Sequence, residues 1–404
     1  MQLKKVKYIM LAILALFVFF FSNDFGLIDV EKTSIITAIA VDKSEDDFLL
    51  TAQIAVPEAT DTNAENLKAQ LSGKGKTVGE ALKNLGDLSG WFPKLSFCNL
   101  ILLGNNLADS NVIEILDYFA KTLRVQDSAL VALAENTASE LLSLSTPLDN
   151  ISAFALQKIM LKNTGFGRDV SSCDVKTFCS GHYSISGSAF MPIVKAEPAG
   201  PPSKGNDGSS GGNTPEVGGG SSGSSSNQQN QNNLFNAKTT ALFKEGKKVG
   251  ELDEQLTLAF NALFFPFNGT TFTVSDVTFN GEKTDYLLTV TSCRPSLSVV
   301  ATDNQLNLNI ELKLYCKVSD HRANGSNAAL SNNQPLPLEV VSKAENIFFE
   351  DIMDLVQTEK QTGCDFLRVK EKLYRYNHEQ YSRYKDNFIE VFKPTVKVSV
   401  IGQK

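Results

Sequence analysis

The feature that most constrains this chain is an apolar run close to its N-terminus. Lys4, Lys5 and Lys7 precede an uninterrupted apolar stretch at residues 8–21. A basic flank followed by such a run is typical of a secretory signal or a signal anchor. Because basic residues stay on the cytoplasmic side of a membrane, we expect everything after Phe21 to be exported.

Two observations bear on whether this segment is cleaved. The run is shorter than the roughly 20 residues that cross a bilayer as a helix, which favours a cleaved signal peptide. Against cleavage, residues 20–25 hold no pair of small residues at the spacing of a cleavage site. We therefore expect residues 1–26 to remain as a membrane anchor. The predicted anchor residues are Lys4, Lys5, Lys7, Tyr8, Leu11, Leu14, Phe17 and Phe21.

Composition excludes several classes of protein. Hydrophobic residues make up 42% and charged residues 21% of the 404 residues, as in globular proteins, and the length predicts two or three domains. A net charge of -7 argues against a nucleic-acid partner, because binding phosphates needs a basic face. The six cysteines lie far apart, which favours free, buried thiols over a disulfide scaffold.

Hydrophobic periodicity predicts an α+β fold, a multidomain mixed α/β body of three domains behind the anchor. The N-terminal α/β domain covers 27–165, the middle domain 166–266 and the C-terminal α+β domain 267–404. Strands are predicted at 33–41, 48–56, 95–103, 129–134, 185–195, 238–243, 270–279, 286–292, 297–301, 306–318 and 395–401. Helices are predicted at 77–88, from 109 onwards, and at 137–144, 150–163, 253–264, 338–360, 366–376 and 379–392.

A polar tract interrupts the middle domain. Residues 198–233 are dominated by Gly, Ser, Asn, Gln and Pro, so we expect a disordered loop within 196–236. A flexible linker between domains is one interpretation. An enlarged loop inside one domain is favoured, because a strand pattern resumes on both sides and long loops add little closure entropy.

Two short motifs resemble ligand-binding loops. Residues 73–77, Gly-Lys-Gly-Lys-Thr, resemble the end of a phosphate-binding P-loop, but Gln70 stands where that loop needs Gly and no buried strand is predicted before it. We expect a helix N-terminus there. Residues 42–47 resemble the start of a calcium loop, but Asp47 and Gln53 replace its required Gly and Glu, which favours a hairpin turn.

The sequence predicts no catalytic, cofactor or metal site and no enzyme activity. The three histidines, His182, His321 and His378, lie in no zinc or nucleophile motif. His378 falls among aromatic residues that predict a helix face against a sheet, with ligand stacking as the alternative. These residues are Tyr374, Tyr376, Tyr381, Tyr384, Phe388 and Phe392.

The order of short segments along the chain resembles the Ger(x)C family, the C subunit of the nutrient germinant receptors of endospore-forming bacteria. The matching segments are 29–31 (Asp-Val-Glu), 35–43 (a strand ending in Asp-Lys), 79–82 (Gly-Glu-Ala-Leu), 99–104, 115–118, 240–252 and 363–365 (Gly-Cys-Asp).

This resemblance implies a three-domain fold and a non-catalytic receptor subunit without cofactors. It implies a protein tethered to the spore inner membrane that faces outward and takes part in nutrient-triggered germination. Its implied partners are the membrane and two integral membrane subunits, A-type and B-type, one of them permease-like. The alternative is an exported, membrane-anchored solute-binding or sensor protein unrelated to germination, and an anchored cell-wall hydrolase comes third.

The chain departs from the family pattern at two places. Family members usually carry an acylated cysteine followed by Trp-Asp; here Asp24 stands at the position of the cysteine and Phe25 at that of the tryptophan. No lipidation site is therefore expected. Tyr381 and Phe388 stand where the family has two tryptophans.

The first departure yields a prediction about membrane retention. Because no cysteine is present to acylate, blocking lipoprotein processing with globomycin should leave the protein in the membrane fraction, as judged by fractionation and immunoblotting. A family member with the acylated cysteine serves as the positive control. A fully soluble, N-terminally trimmed mature form would contradict the anchor.

Overall fold

The computed structural model describes most of the chain beyond the N-terminal segment. The described residues are 10–14, 16, 33–55, 68–122, 125–147, 149, 151–161, 169–198, 233–265, 267–279, 282–323 and 336–403. Helices and strands alternate in the first half and segregate in the second half. The predicted α+β class is confirmed.

A nine-stranded mixed sheet organises the first part of the fold. Its strands are β1 (Thr33–Ser44), β2 (Asp47–Ala55), β3 (Lys68–Gly75), β4 (Phe92–Lys94), β5 (Leu100–Leu103), β6 (Leu130–Ala134), β7 (Ser188–Pro198), β8 (Asn233–Lys244) and β9 (Lys247–Leu252). They lie in the order β3-β2-β1-β5-β6-β7-β8-β9, and β4 pairs with the start of β1. The central strands β1, β5, β6 and β7 are parallel, and antiparallel hairpins extend the sheet at both sides.

Helices cover both faces of this sheet. They are α1 (Val78–Ser89), α2 (Val112–Asp117), α3 (Ala138–Ser143), α4 (Ser152–Met160), α5 (Val175–His182) and α6 (Glu254–Phe264). Strand β5 is buried on both faces: Ile101 and Leu103 contact the core under α1, α2 and α5, and Leu100 and Leu102 contact the core under α3 and α4. A short apolar run buried on both sides is what a central parallel strand requires.

Strand β3 was not predicted, because its residues have little strand propensity and include two glycines. Its pairing with the whole of β2 supplies the ladder. Gly73 and Gly75 are needed because α1 lies directly on the strand, and a Cβ at either position would overlap the backbone of Ala81. Strand β3 leads into the Gly-Lys-Gly-Lys-Thr motif, but it lies at the edge of the sheet and its residues 69–71 are only partly buried, so it is not the buried strand that precedes a P-loop.

The motif is nevertheless a helix start, as predicted. Thr77 is the N-cap of α1 and its hydroxyl accepts a hydrogen bond from the Glu80 amide at 3.1 Å. The Glu80 carboxylate in turn accepts from the Lys76 amide at 2.9 Å. This reciprocal capping box satisfies amides that would otherwise be available to a phosphate.

The polar tract lies inside a hairpin. Strands β7 and β8 pair antiparallel up to Pro198 and Asn233, so residues 196–198 and 233–236 are strand residues and not part of a disordered loop. Residues 199–232 lie outside the described part of the chain. The interpretation as an enlarged loop between two adjacent strands is confirmed.

A four-stranded sheet organises the second part. Its strands are β10 (Thr271–Phe279), β11 (Glu282–Ala301), β12 (Leu306–Ala323) and β13 (Lys393–Gly402). The first three are antiparallel, as predicted, and β13 is parallel to β12. The helices are α7 (Leu338–Thr362), α8 (Val369–Tyr376), α9 (His378–Tyr384) and α10 (Phe388–Val391).

Two predicted boundaries in this part are wrong. Residues 286–292 and 297–301 belong to one strand, β11, which contains Pro295. Beyond Thr289, β11 pairs with β12 but no longer with β10. Pro295 has no amide hydrogen to donate, and it therefore lies where the strand has a partner on one side only. The predicted helix 379–392 is divided into α9 and α10.

The division at residues 165 and 266 stays a prediction. The first sheet takes strands from both sides of residue 165, and its helix α6 ends just before the second sheet begins.

A buried carboxylate connects β1 to α3. Asp42 is 3% exposed and accepts hydrogen bonds from the amides of Ala138 at 2.8 Å and Ser139 at 2.9 Å. A Cβ at Gly104, the residue after β5, would overlap this carboxylate. Asp42 therefore caps a helix distant in sequence and is not the first ligand of a calcium loop.

We expect Asp42→Ala to lower the free energy of unfolding by about 1–3 kcal/mol, because one buried and one partly buried amide lose their acceptor. Urea denaturation measures the change. The matched control is Asp46→Ala in the exposed turn of the same hairpin, which should be nearly neutral. Equal losses in the two variants would contradict the capping role.

Candidate functional site

The longest helix, α7, positions the most unusual polar groups of the described chain. Its buried stripe is mainly apolar and includes two acidic residues, Asp351 and Glu359. The apolar members are Val340, Ala344, Phe348, Ile352, Leu355 and Val356. The helix ends at Gly363, whose φ of 65° lies in the left-handed region and whose amide donates to Glu359 O at 2.9 Å.

Glu359 forms a pair with Asp365, just beyond the helix end. The two side chains belong to residues that are 0% and 2% exposed. Glu359 Oε2 accepts from the Leu367 amide at 3.2 Å, and Asp365 accepts from the amides of Val369 at 2.6 Å and Lys370 at 3.0 Å. Asp365 thus caps α8, and both carboxyls bind backbone amides without a salt bridge among the described residues.

Burial changes the acidity of this pair. It raises the pKa of Glu359 well above its ordinary value, and the neighbouring Asp365 carboxylate raises it further. Burial also raises the pKa of Asp365 to about 6, against the opposing effect of its hydrogen bonds. A proton on Glu359 avoids placing two negative charges together in the interior.

The Gly363-Cys364-Asp365 segment lies against the first sheet. The Cys364 thiol donates to the Phe243 carbonyl on β8 at 3.4 Å, and Asp365 lies near Ser186, just before β7. The position of a Cβ at Gly363 would be 3.1 Å from Lys244 Nζ. Three residues quoted for the family resemblance therefore meet the other sheet at one place.

Aromatic side chains also lie at the contact between the segment after α7 and the first sheet. The Phe260 ring of α6 lies edge-on to Phe190 of β7 at 5.1 Å between ring centroids. It also lies edge-on to Phe366, next to Asp365, at 6.0 Å between ring centroids. A single hydrophobic core consequently includes residues of both sheets.

A cavity of about 530 Å³ opens beside the other acidic residue of α7. Asp351 is 5% exposed, and its carboxylate accepts from Gln255 Nε2 of α6 at 2.6 Å. Burial raises the pKa of Asp351 to about 6. The cavity can offer a carboxylate and an amide to a small polar molecule. It is lined by Gln255, Leu258, Phe272, Thr273, Val274, Ser275, Lys343, Asn346, Ile347, Phe348, Glu350 and Asp351.

The predicted anchor residues fall mostly outside the described part of the chain. Leu11 and Leu14 lie in a short helical stretch and are exposed, whereas Lys4, Lys5, Lys7, Tyr8, Phe17 and Phe21 are not described. Within the described residues, no helix is long and apolar enough to cross a membrane. The anchor stays a prediction.

The structure does not bring the three histidines together. They lie on α5, β12 and α9, and each ring packs against a tyrosine: Tyr183, Tyr286 and Tyr381 respectively. In the described ranges, no group of three or more His, Cys, Asp or Glu residues could hold a metal ion. The six cysteines are free and four are buried, so the expectation of mostly free, buried thiols is confirmed.

The predicted aromatic face is partly confirmed. Phe388 and Phe392 are buried, and the Tyr384 hydroxyl donates to the Thr302 carbonyl beside the second sheet at 2.7 Å. Tyr374 and Tyr376 are exposed. Sequence reasoning did not identify Glu359, although an acidic residue one turn after Leu355 and Val356 on an apolar stripe is a signal that could have found it.

Comparisons with known proteins agree with the order of the two sheets. Residues 27–196 match the family model of the spore germination protein N-terminal domain. Residues 238–401 match the model described as spore germination B3/GerAC like, C-terminal. A crystal structure of the GerBC protein is similar at 13% identity and a TM-score of 0.45, covering 93% of this chain and 100% of that chain. The curated proteins contain no match.

The buried pair predicts an unusual pH dependence. The pKa values of both carboxyls are higher in the folded protein than their ordinary 4.5 and 3.8, so the folded state binds protons more tightly. The stability they contribute is complete below about pH 4. The part due to Asp365 is lost as the pH rises through about 6, and the part due to Glu359 is lost as the pH rises through its own raised pKa. We expect Glu359→Gln to flatten this decline and to be about 1 kcal/mol more stable than the parent near pH 8.

Urea denaturation over a pH series measures the effect. Glu379→Gln, at an exposed position of α9, is the matched control and should follow the parent curve. A Glu359→Gln curve parallel to that of the parent would contradict the protonated pair.

Proposed function

The chain belongs to the GerAC-like family of spore germination proteins, and on that basis we propose that it is a non-catalytic subunit of a spore germinant receptor. It is held at the spore inner membrane by its N-terminal segment and faces outward. It takes part in nutrient-triggered germination.

The observation that carries this proposal is the ordered match of both family models to the two folded halves. The models cover 27–196 and 238–401, and the interval between them coincides with the polar tract inside the β7–β8 hairpin. An insertion between adjacent strands leaves the sheet pairing intact, so the family fold accommodates it.

The use of the buried acids supports a non-catalytic role. Asp42 and Asp365 cap helices, and Glu359 binds a backbone amide at the end of α7. Asp42 stabilises a helix almost a hundred residues away, whereas Asp365 and Glu359 stabilise the turn between α7 and α8. Each carboxyl is buried. Binding to other proteins is the activity that such a body supports.

The proposed partners are two integral membrane subunits, A-type and B-type. A membrane-held protein that faces outward needs partners in the same membrane to connect it to nutrient-triggered germination. The cavity beside Asp351 favours the alternative of an exported, anchored solute-binding or sensor protein, because it is large enough for a small polar molecule.

Co-purification distinguishes the two. Full-length chain with a C-terminal tag, recovered from detergent-solubilised spore membranes, should bring down both membrane subunits, identified by mass spectrometry. The matched control replaces residues 1–26 with a cleavable export signal and should be released from the membrane fraction. Recovery of the full-length chain without any membrane subunit would contradict the receptor proposal.

A further inference from the structure

Four exposed apolar side chains lie close together in sequence, from the last turn of α1 to the segment before β5. Leu88, Trp91, Phe92 and Phe97 are 80%, 47%, 53% and 53% exposed, and we call them the aromatic surface. Trp91 is the one tryptophan of the chain. Leaving four large apolar groups in water is unfavourable unless something covers them.

Polar groups border this surface in an amphipathic arrangement. A groove of about 610 Å³ lies beside Trp91 and Phe92, between α1 and Tyr118, and its charged lining residues are Lys83 and Asp87. Lys94, at the end of β4, is exposed. Aromatic rings bordered by lysines are the composition found at membrane interfaces, where apolar bodies enter the headgroup layer and cations meet phosphates.

The aromatic surface lies where the chain enters the fold. Strand β4 pairs in parallel with the first residues of β1, with Thr33 opposite Phe92 and Ile35 opposite Lys94. Ile35 is itself 40% exposed and extends the apolar area. The apolar run of the sequence ends at Phe21, and a fully extended segment 22–32 reaches at most about 40 Å.

A chain anchored through residues 8–21 therefore keeps this surface close to the bilayer. Few residues separate the end of the anchor at Phe21 from the start of β1 at Thr33. This favours a lipid surface as the partner, because the bilayer is always present at the anchor, whereas a protein partner or a second copy need not be. This step rests on the tether of the proposed function.

We propose that the aromatic surface contacts the phospholipid bilayer. Trp91, Phe92 and Phe97 enter the headgroup region, and Lys83 and Lys94 face lipid phosphates. The contact fixes the orientation of the body on the membrane, with the amino ends of the parallel strands toward the bilayer.

Trp91 is a built-in reporter for the test. Full-length chain is reconstituted into phosphatidylcholine vesicles containing phosphatidylglycerol, with and without brominated acyl chains, and flotation reports whether it is retained. We expect blue-shifted Trp91 emission, strong quenching by the brominated lipid and weak quenching by iodide. Phe92→Ser combined with Phe97→Ser should make quenching by the brominated lipid several-fold weaker.

The matched control moves the tryptophan to another exposed position. Trp91→Phe combined with Tyr376→Trp places the indole at an exposed position of α8, where iodide should quench it and brominated lipid should not. If the protein floats with the vesicles but iodide still quenches Trp91, the lipid contact of the aromatic surface is contradicted and the tether is not. If the protein does not float with the vesicles and iodide quenches Trp91, both the tether and the lipid contact are contradicted. Shielding of Trp91 only in native membranes that contain other subunits would assign the surface to a protein and overturn the lipid proposal.

Discussion

Helix α7 holds the two sheets of this protein together. Its apolar stripe is buried against the second sheet and against α6 of the first, and each large side chain in it contributes about 1.5–3 kcal/mol by leaving water. Without that burial, the Gly363-Cys364-Asp365 segment would have no fixed position on β7 and β8. The hydrogen bond from the Cys364 thiol to the Phe243 carbonyl, the capping of α8 and the shape of the cavity beside Asp351 all depend on where α7 lies.

The end of α7 carries a buried pair of carboxyls, Glu359 and Asp365. Glu359 and Asp365 are buried next to each other, and two negative charges at this place would be unfavourable. The pair is therefore more stable when one of the carboxyls carries a proton. Their acceptor atoms satisfy backbone amides at the turn between α7 and α8, which an apolar pair of the same size could not do. The pair therefore specifies the geometry of the turn more than it adds stability, and stability decreases where the pair ionises.

The first sheet explains how a long polar tract can be tolerated. Strands β7 and β8 pair along their whole length on either side of it, and β8 continues into β9. Both ends of the tract are thus held by the sheet ladder at neighbouring positions. The family models end and begin at nearly the same residues, which is consistent with an insertion that leaves the shared fold unchanged. Nearer the other edge of the sheet, β4 pairs with the start of β1, so the first described strand begins beside the exposed apolar residues of the aromatic surface.

The sequence by itself determined the α+β class, most helices and strands with strong periodicity, the capped start of α1 at Thr77 and the family to which the chain belongs. These depend on contacts within a few residues or on the order of segments. Only the tertiary structure decided that the weak segment 68–75 is a strand, that Pro295 lies inside β11 and that Asp42 caps α3, almost a hundred residues away. The same holds for the docking of Asp365 beside Ser186 and for the cavity between α6 and α7. Strand pairing and the burial of polar groups depend on partners brought together by folding, and no local pattern of residues records which partner that will be.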